Sequence, residues 1–357
     1  MKNNVYTLIM AGGKGTRLWP ESTEQKPKQY LAIAGDHSLL AQTLSRFSNI
    51  VPKENRFIVT TKDQEELAEE NSTNLVNKNG LIFEPSGRNT APCILLSLAF
   101  LEAKHSASED DIVAVMPSDH VILDTNGFEK TFSEAVELAT NSDTIATIGI
   151  KPHFPHTGYG YIKLGAEVSN GFRVSEFKEK PNVDVATEYL KSGNYLWNAG
   201  MFMSSLGRFK EEFSVHAPEL FSFYKKLVQA ISRDEDISEI YSQLPKDSID
   251  YAIMEKSDKV SIVKADFDWN DLGSWEAMEA VLEAKDGNTL IEDKGNFIEN
   301  SKGNIVYAPN QHVSLIDVDD LVVVSNDKSL MVVPKAQSQK VKHIVNHLKE
   351  SGNKDLL

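Results

Sequence analysis

The chain contains one cysteine, Cys93, in 357 residues. A lone cysteine closes no internal disulfide, and no Cys/His spacing of a zinc site accompanies it. Cys93 follows a proline at the head of an apolar stretch and reads as a small buried hydrophobe. Long apolar runs are missing too: none reaches the roughly 18–20 residues of a membrane span. Val5–Met10 runs straight into a glycine loop, so it reads as a buried strand rather than a signal peptide. The expectation is a cytoplasmic protein that makes no use of a membrane. Positive charge is scarce: 37 Lys and Arg against 52 Asp and Glu leave a net charge of −15. That balance argues against broad nucleic-acid binding, which needs a basic face. Any phosphate site must rely on local cations, for which Lys14, Arg17, Lys28, Arg88 and Lys180 are the candidates. No nucleophile with an adjacent base, in a Ser/His/Asp order or otherwise, stands out.

What is present begins with alternation. Val5–Met10, Arg56–Thr60, Gly80–Phe83, Ile112–Met116 and Thr144–Ile148 are short, β-branched and strand-like. Amphipathic stretches separate them, at Ser38–Phe47, Gln64–Asn71, Ala91–Lys104 and Gly127–Thr140. The pattern predicts an α/β fold: a Rossmann-like, mostly parallel mixed sheet with helices on both faces. Ligands of such sheets sit beyond the carboxyl ends of the strands, so the segments after the strands matter most. Gly158–Lys163 and Arg173–Lys178 read as further strands, and Arg208–Phe213, Leu220–Ser232 and Trp275–Glu283 as helices. After Gly287 the texture turns to short strands and polar turns, including Leu321–Val324 and Leu330–Val333, closed by a helix at Lys335–Lys349. We therefore expect a catalytic domain over 1–286 and a small β domain over 287–357.

The first strand leads into Ala11-Gly12-Gly13-Lys14-Gly15-Thr16-Arg17-Leu18-Trp19-Pro20. Its glycines let the backbone approach a ligand closely, and successive N–H groups can cradle phosphate oxygens. Arg17 offers a bidentate fork and Lys28 a point charge. Two better-known phosphate loops are excluded. A P-loop needs Ser or Thr after Gly-Lys, and here Gly15 follows Lys14; the dinucleotide fingerprint needs glycine where Leu18 stands.

Gly12-Gly13-x-Gly15-Thr16-Arg17-Leu18-Trp19-Pro20, followed by Pro27-Lys28-Gln29, resembles the signature of the sugar-phosphate nucleotidyltransferases. The Trp-Pro and Pro-Lys-Gln variant is similar to the mannose-1-phosphate guanylyltransferase branch. Glu21 and Tyr30 depart from that branch's usual aliphatic residue and Phe, away from the expected phosphate contacts. The resemblance implies that Ala11, Gly12, Gly13, Gly15, Thr16 and Arg17 hold the triphosphate while Lys28 helps neutralise it. It spans residues 5–285 strongly and the tail loosely.

Further motifs lie along the chain. In Glu84-Pro85-Ser86-Gly87-Arg88-Asn89-Thr90-Ala91-Pro92, Asn89 and Thr90 can cap the next helix, with Pro92 in its first turn. The branch carries a similar run beside the base, which implies nucleotide contacts from Glu84, Pro85, Arg88, Asn89 and Thr90. A carboxylate or backbone carbonyl near Glu84 would accept from guanine N1–H and the 2-amino group. Asp119, in Met116-Pro117-Ser118-Asp119-His120, is well placed at a strand's end to hold Mg²⁺ against phosphates. Asp271, in Trp269-Asn270-Asp271-Leu272-Gly273, would supply a second carboxylate to that metal; His120 merely orients its neighbour. Gly158-Tyr159-Gly160-Tyr161, Phe177-Lys178-Glu179-Lys180-Pro181 and Asn198-Ala199-Gly200 resemble sugar-binding segments. Gly160 would let backbone approach the ring, Glu179 and Asn198 would meet hydroxyls, and Lys180 the sugar's phosphate. His156 stands where the branch commonly has an acid. Ser248-Ile249-Asp250-Tyr251-Ala252 also looks like a family segment.

The implied reaction transfers GMP from GTP to α-D-mannose 1-phosphate, with Mg²⁺ as cofactor and Arg17, Lys28, Asp119 and Asp271 as the catalytic set. The tail resembles the left-handed β-helix-like domain of the branch, which implies a homodimer. The chain is too short for the added isomerase domain of some longer relatives. Two alternatives stay open: another pair, such as glucose or heptose 1-phosphate or a different triphosphate, and a catalytically silent nucleotide-sugar sensor.

Overall fold

Continuous apolar runs become buried strands. In the computed structural model, which describes residues 4–13, 15–77, 79–292 and 295–357, these runs form a nine-stranded sheet. Its members are β1 (Val5–Met10), β2 (Arg56–Thr61), β3 (Leu81–Glu84), β4 (Ile112–Pro117), β5 (Ile145–Ile150), β6 (Tyr161–Val168), β7 (Gly171–Lys178), β8 (Tyr195–Ser205) and β9 (Val260–Lys264). The spatial order is β3-β2-β1-β4-β8-β5-β9-β7-β6. β3, β2, β1 and β4 are mutually parallel, and β5 is parallel to β9. β8 runs antiparallel to β4, β5 and β6, and β7 antiparallel to β6 and β9. The sheet is therefore mixed, with all strands but β7 and β8 pointing one way.

By compactness the chain divides into two units. The first comprises Met1–Gly12, Leu44–Pro117 and Leu123–Asp268; the second Gly13–Thr43, Ser118–Ile122 and Trp269–Leu357. The segment 287–357 thus lies in the same unit as the loop after Gly12 and the turn after β4.

The first unit holds the large sheet. Helix Thr90–His105 is apolar on nearly every side and buries Ala91 through Ala99 and Leu101. A helix hydrophobic all round belongs inside a core. Its neighbours there include Leu8, Val59, Val113, Val115, Phe202, Phe209 and Leu227, all nearly inaccessible. Helix Thr125–Ser142 is amphipathic, burying Phe128, Phe132, Ala135 and Leu138.

The second unit has its own core, in which Leu18, Trp19, Leu31 and Ile33 pack with Trp275, Ile305, Tyr307, Val322 and Val345. Its strands are β10 (Thr289–Ile291), β11 (Phe297–Glu299), β12 (Ile305–Tyr307), β13 (Ser314–Ile316), β14 (Leu321–Ser325) and β15 (Leu330–Pro334). β10, β12 and β14 stack in parallel, with Thr289 opposite Ile305 and Ile305 opposite Val322. Asparagines bind successive rungs. Asn304 N–H and Nδ2 both donate to Asn288 Oδ1, and Leu321 N–H donates to Asn304 Oδ1. The expected Trp275–Glu283 helix is a 3₁₀ turn over Trp275–Ala280, and the final helix is Val341–Glu350 after a 3₁₀ segment.

Candidate active site

The predicted residues fall into two groups, one in each unit. Gly13, Gly15, Thr16, Arg17, Lys28, Asp119 and Asp271 belong to the second unit; Lys14 lies outside the described residues. Gly15, Thr16, Arg17, Lys28, Asp119, His120 and Asp271 line one cavity of about 320 Å³. Gly15 sits at φ +58°, and a Cβ there would lie 2.2 Å from Lys28 Cβ. Only glycine satisfies both the left-handed backbone and the passing lysine stem. Lys28 follows Pro27 in a 3₁₀ turn and is 5% exposed. A buried ammonium needs partners. Lys28 Nζ donates to Asp119 Oδ2 at 2.8 Å and to the Asp271 carbonyl. Arg17 is exposed on the wall of the same cavity.

Burial would raise the Asp119 carboxyl, but Lys28 and His120 outweigh it and hold the group below the usual carboxylate range. His120 Nδ1 accepts from the Trp269 indole N–H at 3.1 Å, which puts the imidazole proton on Nε2, 3.9 Å from Asp119 Oδ1. Asp271 caps its own turn, accepting from Gly273 N–H at 3.1 Å. No cluster of three or more ligating side chains occurs among the described residues. Two hard carboxylate oxygens in one open cavity nonetheless fit Mg²⁺, which keeps several waters and takes one or two protein carboxylates plus substrate phosphates.

The first unit carries the remaining residues. Ala11, just past β1, is fully buried with its N–H on Val59 O, so the phosphate contact expected of it is not available from that amide. Gly12 stands beside Glu84: a Cβ on it would be 3.4 Å from Glu84 Oε2. Of the two acceptors the sequence offers guanine near Glu84, a carboxylate or a backbone carbonyl, the Glu84 carboxylate is already engaged within the fold. Glu84 is 3% exposed and already accepts from Tyr241 O–H, the Cys93 thiol and the Arg88 amide. Burial pushes its carboxyl up despite those bonds. A base would be left the backbone carbonyls of this turn. Pro85 is exposed. Arg88 donates from Nη1 to Leu244 O at 2.6 Å, while its buried Nε has no partner among the described residues. Asn89, at φ +71°, caps the helix by accepting from Thr90 N–H, and Thr90 Oγ1 accepts from Ile249 N–H at 2.8 Å.

Gly160, Glu179, Lys180 and Asn198 do converge. A Cβ on Gly160 would meet Glu179 Oε2 at 2.5 Å and Asn198 Cβ at 3.2 Å. Glu179 accepts from Lys180 Nζ on Oε1, and its Oε2 is buried with no partner among the described residues. Lys180 adopts φ +46°, which a non-glycine residue holds only under tertiary constraint. Burial alone would lower Lys180, but Glu179, Asp250 and Tyr251 raise it above an ordinary lysine. Asn198 Oδ1 accepts from Gly200 N–H at 2.9 Å, which aims Nδ2 at Asp250 Oδ1, 3.0 Å away. Asp250 is the residue that sequence reasoning passed over: it had a family-like segment as its signal but no assigned role. His156 stacks on Tyr159 with ring centroids 3.8 Å apart.

The nucleotidyl transferase family model matches residues 6–286, and the model of the MannoseP isomerase/GMP-like beta-helix domain matches 296–348. The mannose-1-phosphate guanylyltransferase of Escherichia coli strain K12 is 35% identical over 98% of this chain and 75% of its own length. The mannose-1-phosphate guanylyltransferase RfbM of Salmonella typhimurium is 36% identical over 98% of this chain and 73% of its own. Among solved structures, the mannose-1-phosphate geranyltransferase from Thermus thermophilus superposes with a TM-score of 0.89 at 33% identity, covering 97% of this chain and 99% of that one.

Proposed function

The chain belongs to the nucleotidyl transferase family, and from that premise we propose that it transfers GMP from GTP to α-D-mannose 1-phosphate, releasing pyrophosphate and GDP-mannose. The observation that carries this reading is the cavity in which Gly15, Arg17, Lys28, Asp119 and Asp271 meet. The two guanylyltransferase relatives supply the choice of base and sugar.

The chemistry asks for no general base. The attacking group is a phosphate oxygen of the sugar 1-phosphate, already anionic near neutral pH. It must be held in line with the α-phosphorus and spared repulsion from the triphosphate. Arg17 is a bidentate partner for triphosphate oxygens on the cavity wall. Gly12, Gly13, Gly15 and Thr16 offer backbone N–H groups along the same stretch, whereas that of Ala11 is taken up by Val59 O. Lys28 keeps Asp119 anionic and steadies the Asp271 turn. Asp119 and Asp271 would hold Mg²⁺, which supplies positive charge against the phosphates. We assign the base to turn 84–90, with Arg88 as its cation. Glu179 and Asn198 take sugar hydroxyls and Lys180 the sugar's phosphate. Pyrophosphate leaves.

The domain division we favour, 1–286 and 287–357, draws support from the family matches ending and beginning near it. A homodimer is the matching assembly, tested by sedimentation, and a cytoplasmic setting is where GTP and sugar phosphates are formed. A matrix of triphosphates against sugar 1-phosphates, followed by pyrophosphate release, tests the substrates: fastest turnover is expected with GTP and mannose 1-phosphate. Faster turnover with any other pair overturns the choice.

A further inference from the structure

Two carboxylates lie next to each other in the first unit with one ammonium between them. Lys180 Nζ binds Glu179 Oε1 and feels the charge of Asp250, while burial and the neighbouring Glu179 push the Asp250 carboxyl up. Glu179 is 9% exposed, and its Oε2 lacks any donor among the described residues. A buried carboxylate oxygen without a donor is costly. The surrounding structure enforces the arrangement. Glu255 Oε1 accepts from the Glu179 backbone N–H at 2.9 Å. Asn198 is locked at both ends of its amide, with Gly200 on one side and Asp250 on the other. Asp250 itself opens a π-helical turn, Asp250–Met254, a local irregularity frequent at functional sites. The absent Cβ of Gly160 leaves open the space against Glu179 Oε2.

Nothing about folding calls for the second acid. Asparagine at position 250 would still accept from Asn198 through its amide oxygen and would remove the repulsion with Glu179. An extra acceptor beside an unsatisfied acceptor fits a ligand rich in O–H donors. Resting on the sugar-phosphate reading of this site, we propose that Asp250 is a specificity-determining residue that accepts a hydrogen bond from a sugar hydroxyl, pairing with Glu179 to clamp two hydroxyls of the ring. A hydrogen bond to a charged acceptor discriminates more strongly than a neutral one, and a sugar that turns the hydroxyl away leaves the acceptor unpaired. The epimer preference of the enzyme is therefore written at Asp250 together with Glu179.

Titration calorimetry of mannose, glucose and galactose 1-phosphates into the wild-type chain and Asp250→Asn tests this. The sugar phosphate bound tightest by the wild type should bind about tenfold or more weakly to Asp250→Asn, with a narrower spread among the epimers. GTP affinity should be unchanged and the melting temperature not lowered. Unchanged affinity and spread in a folded Asp250→Asn overturn the assignment while leaving the transferase reading intact. A wild type that binds none of the three overturns both.

Discussion

Lys28 and Asp119, 91 positions apart in sequence, meet at 2.8 Å with the lysine stem passing over Gly15. Neither group is explicable alone: the buried ammonium needs the carboxylate, and the carboxylate stays anionic because the ammonium is there. Replacing Asp119 by Asn removes a charge and keeps the shape. Asp119→Asn should lose turnover by about 10²–10³-fold or more, the scale of removing one electrostatic contact at a reacting centre, while circular dichroism stays native. Near-normal activity would remove Asp119 from the metal-holding role.

Gly15 tests the same junction from the backbone side. Its φ of +58° and the 2.2 Å approach to Lys28 Cβ exclude any side chain. Gly15→Ala should cost at least ~1 kcal/mol from the backbone conformation alone, with displacement of Lys28 added. A chemical denaturation midpoint equal to the wild type's would refute the packing argument.

Arg17 is exposed on the cavity wall, so its loss leaves no buried orphan. Arg17→Ala should leave stability unaltered, raise the KM for GTP at least ~10-fold as expected for a lost charge-assisted contact, and leave mannose 1-phosphate affinity in place. An unchanged KM for GTP together with an unchanged kcat would contradict the triphosphate assignment.

The carboxyl of Asp250 is pushed up to about 6 from an ordinary 3.8, by burial first and then by Glu179, against the opposing effects of Lys180 and Asn198. A folded pKa above the unfolded one means that the native state binds the proton more tightly. The associated stability is fully present below about pH 4 and is lost as pH rises through about 6. Asp250→Asn mimics the protonated acid. Its melting temperature should gain on the wild type between pH 4 and 7; parallel curves over that range would show that Asp250 is not perturbed. The charged or titratable groups near this cluster are Glu179, Lys180, Tyr251 and Glu255, with Lys178 pairing to Glu255.

Much of this was legible in the sequence, for local reasons. β1 and the loop after it declare themselves because an apolar run, three glycines and a cation lie within a dozen residues. Asn89 reads as a cap because capping is local chemistry, and the structure places it so. β8 does not read as a strand. Its Asn198-Ala199-Gly200 interruption breaks the apolar alternation, and its antiparallel place between β4 and β5 is set by partners far away in sequence. The burial of Glu84 is equally hidden. It depends on Tyr241, 157 positions on, and no local pattern distinguishes a carboxylate facing a base from one facing a tyrosine. Asp250 escapes notice because its neighbours Asn198 and Glu179 reach it only through the fold.

The central claim is the reaction itself. Purified protein with GTP, mannose 1-phosphate and Mg²⁺ should release pyrophosphate and form GDP-mannose in equal amounts, and Asp119→Asn should do so at least about 10²-fold more slowly. GDP-mannose that binds to the wild type without any pyrophosphate release from the substrate pair would contradict the account and mark the chain as a nucleotide-sugar sensor.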